Sequence, residues 1–240
     1  MFLRSLFDRL LPGLLPSSCA LCGHGCAGVV CDACRIDAIH AVPRCRRCAN
    51  PVPAGSAHEC GACLARAPAF DATFVAADYA SPLDQLVLQL KFGARLPLAP
   101  WFAGLLRDQV LAQQAGAAAL PDLPDVLMPV PLGRRRLLER GFNQALEVAR
   151  PLSRMLGVPL APRLATRIVE TAPQSALAPS ARAGNVRAAF AVTAQAAGLH
   201  VGVVDDVMTS GGTLNALAMA LKGAGALRVS NFVVARTPPK

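Results

Sequence analysis

Apolar positions along the chain change their period several times, and each change marks an element. Near the start, Phe2, Leu3, Leu6 and Leu10 form one stripe of a short amphipathic lead-in helix that Pro12 ends. Residues 74–79 read as a strand. Ser81-Pro82 then opens a helix, a cap followed by proline at the first helical position, with Leu83, Leu86, Val87 and Leu90 as its stripe. A further helix is predicted around residues 101–113, followed by an alanine-, glycine- and proline-rich linker over 114–124. A strand over 125–130 leads into a basic loop and then a helix from Phe142. That helix puts Phe142, Ala145, Leu146, Ala149 and Leu152 on one face, and Pro151 is expected to kink or divide it. A short apolar strand over 200–205 precedes a helix carrying Leu214, Leu217, Ala218 and Leu221. Gly223 and Gly225 end that helix, and residues 229–235 make the last strand. Strands alternating with helices predict an α/β fold, a parallel sheet covered on both faces.

Composition agrees with a folded chain. Of the 240 residues, 53% are hydrophobic and 16% charged, which excludes disorder. No stretch reaches ~18 uninterrupted apolar residues, so no spanning helix is predicted. The leucine-rich start is broken by Arg4, Asp8, Arg9 and Pro12, unlike a secretory signal, and the chain reads as cytoplasmic. The net charge of +9 is spread along the chain rather than held in a tail. It suits anionic ligands, phosphates or nucleic acid, without choosing between them.

The nine cysteines all lie within residues 19–63, and eight form C-x-x-C pairs: Cys19/Cys22, Cys31/Cys34, Cys45/Cys48 and Cys60/Cys63. Two thiolates at this spacing grip one metal from a tight turn, and two such turns complete a tetrahedral site. A disulfide framework needs an oxidising compartment, for which the chain carries no export signal. Four copies suit two structural zinc ions better than a thioredoxin-like redox centre. Consecutive pairing is expected, Cys19, Cys22, Cys31 and Cys34 for one ion and Cys45, Cys48, Cys60 and Cys63 for the other. Cross-braced pairing is the alternative. His24, Cys26 and His58 read as bystanders. The cysteine-rich unit spans residues 1–66, a connector follows at 67–70, and residues 67–240 form the second unit.

The most specific segment is Val203-Val204-Asp205-Asp206-Val207-Met208-Thr209-Ser210-Gly211-Gly212-Thr213. An apolar strand ends in two carboxylates, and a hydroxyl- and glycine-rich turn opens a helix. Such a turn aims backbone N–H groups at one phosphate, aided by the helix dipole. Asp205 and Asp206 are acceptor-only groups that suit the vicinal diol of a ribose and would repel phosphate. A ribose 5-phosphate fits this division. The lysine of a Walker loop is absent, which disfavours nucleotide triphosphatase chemistry.

This segment resembles the phosphoribosyl-diphosphate signature of type I phosphoribosyltransferases. Together with the four C-x-x-C pairs, LKFGAR at 90–95, MPVPLGRRRLLERGFNQ at 128–144 and QSALAPSARAGNVRAAF at 174–190, it is similar to the ComF/GntX branch. The resemblance implies a double zinc ribbon joined to a parallel-sheet, type I phosphoribosyltransferase-like domain. It implies magnesium-complexed phosphoribosyl diphosphate held by Asp205, Asp206, Thr209, Ser210, Gly211, Gly212 and Thr213. Arg134, Arg135, Arg136 and Arg140 suit the diphosphate or, equally, a salt-bridged or nucleic-acid surface. Residues 163–187, with Arg163, Arg167, Arg182 and Arg187, are the candidate mobile loop closing over the ligand. Lys91 reads as a solvated helix-end lysine, with a phosphate contact as the alternative. No acceptor and no general base can be named. The resemblance also implies an association with competence and DNA uptake, hence single-stranded DNA or DNA-uptake proteins as partners, with Arg44, Arg46 and Arg47 as the ribbon contacts. A non-catalytic, ligand-sensing regulator is a third reading.

Overall fold

The computed structural model describes residues 17–54, 59–115, 123–168 and 189–238. The cysteine-rich unit contributes a small antiparallel pair, β1 (Ser17–Ser18) and β2 (Gly25–Cys26), and two short helices, α1 (Asp32–Ala38) and α2 (Gly61–Ala65). Then come β3 (Ala72–Asp78), α3 (Leu83–Phe92), α4 (Leu98–Ala115), β4 (Val126–Pro129), α5 (Arg134–Arg140) and α6 (Gln144–Leu156). A small antiparallel pair, β5 (Ala165–Arg167) with β6 (Phe190–Val192), precedes β7 (His200–Met208), α7 (Gly212–Gly223) and β8 (Arg228–Arg236). β3, β8, β7 and β4 make one parallel sheet in that order, so β7 lies inside it.

The two-residue period of β7 sorts the core. Val201 and Val203 join Val229 and Val233 of β8, Met128 of β4 and the Leu214, Leu217 and Leu221 stripe of α7 on one face. On the other face Val204 packs with Phe232, Leu127, the stripe of α3, and Val148 and Leu152 of α6. Gly202 permits this second layer. A Cβ there would lie 2.5 Å from Leu127 Cδ2 and 2.9 Å from Phe232 Cε2. The two cysteine groups are built into the same cores: Cys45, Cys48 and Cys63 belong to the α7 face, Cys19 to the α3 face. The connector is equally anchored, with Phe70 buried and Ala69 N donating to Asn215 Oδ1 at 2.7 Å.

Three expectations need correction. Of the kink or division expected at Pro151, the division does not occur, because α6 continues from Gln144 to Leu156. A proline removes one backbone donor, while Ala145, Val148, Ala149 and Leu152 hold both sides of the break in the core. The basic loop is instead α5, closed by Gly141 in the left-handed region (φ 76°) and bearing the Arg135–Glu139 pair one turn apart. The strand through the carboxylates ends at Met208 rather than Asp205, since pairing with β8 continues to Met208–Arg236. The lead-in helix and residues 169–187 of the candidate closing loop lie outside the described residues, as does most of the 114–124 linker. Of that loop, β5 takes Ala165–Arg167 into a strand. Among the described residues, no helix is long and apolar enough to cross a membrane.

Candidate functional site

The carboxyl ends of β4 and β7 border a cleft, the position where open parallel sheets bind ligands. Its volume is about 180 Å³, and Asp205, Asp206, Thr213, Lys91, Arg136, Arg140 and Arg167 line it with Asn143 and Gln144. Lys91 is not a solvated helix-end residue. Its Nζ lies 3.2 Å from Asp206 Oδ2, and both side chains are largely buried, at 18% and 14% exposure. Asp205 Oδ1 accepts from the N–H of Asp206 at 2.9 Å. Burial and the neighbouring charge of Asp206 push the Asp205 carboxyl up to about 8, against the pull of Lys91 and Arg167. The cleft therefore brings two carboxylates together with four basic side chains.

The basic stretch divides between these two environments. Arg136 and Arg140 line the cleft, and the Arg140 guanidinium sits 5.1 Å above the Phe92 ring. Arg134 and Arg135 do not line it; α5 turns Arg135 outward to Glu139, 2.8 Å away. Asn143 was missed as a site residue. It caps α6 by accepting from Ala145 N at 3.0 Å and ties that cap to β4 by donating to Val130 O at 3.0 Å. Its signal in the sequence was a capping residue between Gly141 and an amphipathic helix. Gln144 is almost wholly buried, and no pattern singled it out.

The turn occupies the start of α7. Gly211 is its left-handed cap residue (φ 78°), and a Cβ there would also meet Met208 Cε at 2.6 Å. The first N–H groups of a helix lack intrahelical acceptors, which suits them to an anion. Thr213 faces the cleft with the two carboxylates. Ser210, Gly211 and Gly212 border a second cavity of about 270 Å³, shared with Cys48, Cys63, Phe70, Asn215 and Arg236. Of the seven residues singled out, Asp205, Asp206 and Thr213 thus line the first cleft, Ser210, Gly211 and Gly212 border the cavity toward the cysteine-rich unit, and Thr209 opens the turn between them. Arg236, unrecognised beforehand, donates to the carbonyl of Thr209. Its only sequence signal is a charge ending an otherwise buried strand.

The thiols converge in consecutive pairs. Cys19, Cys22, Cys31 and Cys34 form one group, and Cys45, Cys48, Cys60 and Cys63 the other, each with its sulfur atoms within 4.8 Å of one another. Cys22 and Cys31 Sγ are 3.8 Å apart, and Cys48 and Cys60 Sγ 3.5 Å. Tetrahedral zinc with Zn–S near 2.3 Å sets its sulfurs ~3.8 Å apart, so the donor sets fit that ion. Backbone donors support thiolate charge: Cys31 N reaches Cys19 Sγ at 3.4 Å, and Cys60 N reaches Cys45 Sγ at 3.3 Å. Burial raises the Cys19 and Cys45 thiols, yet backbone donors, chiefly Cys22 with Cys31 for the first and Cys48 with Cys60 for the second, bring them down to about 6 and about 7. Cys26 Sγ contacts Gly28 O instead of either group, at 2.9 Å. His58 lies outside the described residues.

Sheet, carboxylate pair and glycine turn define a phosphoribosyltransferase-like domain carrying a double zinc ribbon. Two families match accordingly, the double zinc ribbon domain over residues 10–64 and the phosphoribosyl transferase domain over residues 143–240. The chain is 36% identical to DNA utilization protein YhgH of Salmonella typhi, over 93% of this chain and 98% of that protein. It is 30% identical to Competence protein F of Haemophilus influenzae, over 86% and 90%. The chain belongs to the family of these proteins, the ComF/GntX family. Among solved structures, glutamine phosphoribosylpyrophosphate amidotransferase from B. subtilis, complexed with ADP and GMP, aligns at 19% identity. Its TM-score is 0.39, over 60% of this chain and 30% of that one.

Proposed function

We propose that this chain is a cytoplasmic accessory protein of DNA uptake and utilisation whose phosphoribosyltransferase-like domain binds magnesium-complexed phosphoribosyl diphosphate. The observation that carries the DNA reading is the extent of the likeness to DNA utilization protein YhgH. It runs through ribbons and domain together, over 98% of that protein. The cleft supports the ligand. Asp205 and Asp206 accept from the ribose hydroxyls, the turn from Thr209 to Thr213 encloses the 5′-phosphate, and Arg136 and Arg140 face the diphosphate. Lys91 exchanges its hold on Asp206 for a phosphate oxygen as the sugar enters. Magnesium, a hard cation served by phosphate oxygens, would neutralise diphosphate charge when bound, beside the arginines of the cleft. The eight paired cysteines hold the two zinc ions.

The test is genetic and biochemical at once. A host lacking the gene should lose the use of labelled external DNA, and the wild-type chain should restore it. A chain carrying Asp205→Ala and Asp206→Ala should neither restore it nor bind phosphoribosyl diphosphate in calorimetry. Undiminished DNA use in the deletion strain would overturn the DNA reading, and unchanged affinity in the double variant would overturn the ligand site. Diphosphate release on adding nucleobases separates turnover from binding alone.

A further inference from the structure

A buried guanidinium stands between the second cysteine group and the ligand turn. Arg236 ends β8 and is 6% exposed. Its Nε donates to Cys48 O at 3.2 Å. Its Nη1 donates to Met208 O at 3.1 Å, to Thr237 O at 2.7 Å and to Thr209 O. Cys48 is one of the four converging thiols, and Thr209 opens the glycine turn. One side chain therefore holds both the knuckle that grips a metal and the backbone from which the turn springs.

Charge explains why arginine occupies this place. All its hydrogen-bond acceptors among the described residues are neutral carbonyl oxygens, and the nearby Asp78 carboxylate is already paired with Arg44 at 2.8 Å, the two charges acting on Arg236 in opposite directions. Burying a guanidinium against carbonyls alone is costly. Four thiolates around one zinc ion leave a net charge of about −2, and that centre lies directly behind Cys48. The first cysteine group is attached elsewhere, through Gln89 of α3, whose Nε2 donates to Ala20 O at 3.1 Å on the opposite face of the sheet.

We propose that Arg236 is a positioning residue that makes the shape of the phosphate turn depend on metal at the second cysteine group. Metal there and a phosphate ester at the turn then strengthen each other's binding, as linkage between two sites requires. The ester half of this inference rests on the ligand reading above; the metal-to-turn half does not.

The test uses the full chain with both zinc ions bound, as verified by native mass spectrometry. Hydrogen exchange is followed without ligand in peptides covering 207–213 and 31–38. Arg236→Lys keeps the charge but loses the fork. It should speed exchange in 207–213 by about tenfold, the size of an ordinary coupling, with 31–38 unchanged and both ions retained. Cys63→Ser, which removes the second ion, should give the same signature, and the two changes together should add nothing further. Unchanged exchange at 207–213 in Arg236→Lys, or fully additive effects, would overturn the coupling. In a second arm, magnesium-phosphoribosyl diphosphate should slow chelator withdrawal of one of the two zinc equivalents in the wild type and not in Arg236→Lys. Equal slowing in both proteins would also overturn it. A wild-type chain that binds no phosphoribosyl diphosphate would refute the ligand reading, while the exchange arm would still decide the role of Arg236.

Discussion

Asp205→Asn should stabilise the unliganded protein while weakening its ligand. Asp205 lies inside β7 beside Asp206, and burial together with that neighbour moves its carboxyl from an ordinary 3.8 up to about 8. The folded state therefore binds more protons at this group than the unfolded state does between those values. Stability falls as pH rises from about 4 to about 8, and above that the loss is complete. A shift of ~4 units converts in full to ~6 kcal/mol. That figure is an upper bound, because relaxation around a buried charge brings the effective dielectric closer to ~20. Asparagine matches the shape and never ionises. The variant should exceed the wild type by a margin that grows steadily as pH rises toward 8 and reaches several kcal/mol at most, read as the shift of the urea midpoint at constant slope. In calorimetry the same variant should lose at least ~1.5 kcal/mol of affinity for magnesium-phosphoribosyl diphosphate, the worth of a charged acceptor. Wild-type affinity should rise between pH 6 and 8, because the bound form requires the carboxylate. A stability difference of the opposite sign, or one that does not grow with pH, would refute the reasoning.

Protein purified without chelator should carry two zinc equivalents by elemental analysis; one equivalent, or disulfides by mass spectrometry, would refute the two four-cysteine sites. Gly202→Ala should cost ~1–3 kcal/mol in urea unfolding, since its Cβ meets Leu127, Pro124 and Phe232 within 3 Å, and an unchanged midpoint would count against the packing described. Single-stranded DNA should bind with an affinity that falls steeply as salt rises. Arg136→Ala and Arg140→Ala should weaken both DNA and phosphoribosyl diphosphate, and a loss confined to one ligand would separate the two surfaces.

Elements with strong periodicity were legible in the sequence. The stripes of α3 and α7 and the apolar runs of β7 and β8 are where the pattern puts them, because burial on one or both faces leaves a local signature. In α6 the buried face is Ala145, Val148, Ala149 and Leu152, with Phe142 ahead of the helix and Leu146 only half-buried. The cysteine pairing was legible too, since short intervening loops make consecutive closure easy. What was hidden depends on long-range contact. Lys91 reads as a helix-end lysine until α3 is set against β7, where Asp206 takes it. Arg236 reads as the polar end of a strand until the second cysteine group is docked. Arg134–Arg140 carries no buried stripe, so nothing in its pattern distinguishes a helix from a loop. Residues Ser210, Gly211 and Gly212 were identified as a turn, but which cavity each part borders follows only from the placement of Phe70 and Cys63.

The destination of the ribbon arginines bears on how the two units work together. Arg44 reaches inward, its Nη1 2.8 Å from Asp78 at the end of β3 and 3.2 Å from Ala49 O. Arg47 is held by Glu59 at 3.1 Å, and its carbonyl accepts from Thr73 Oγ1 at 2.6 Å. Only Arg46 of the trio is exposed, and its carbonyl in turn accepts from Thr73 N at 3.0 Å. This face of the ribbon is therefore spent mainly on attaching the second cysteine group to the edge strand β3. The outward basic surface lies across the sheet on α5, where Arg134 and Arg136 are exposed, next to the cleft that Arg136 and Arg140 line. A polyanion approaching α5 meets the cleft-lining arginines at the same place. Ligand in the cleft and nucleic acid on α5 then draw on shared charge, so each should weaken the other. Competition between magnesium-phosphoribosyl diphosphate and single-stranded DNA, seen as a ligand-dependent rise in the DNA dissociation constant that disappears in Arg136→Ala, is the expected result; independent binding would place the DNA surface elsewhere.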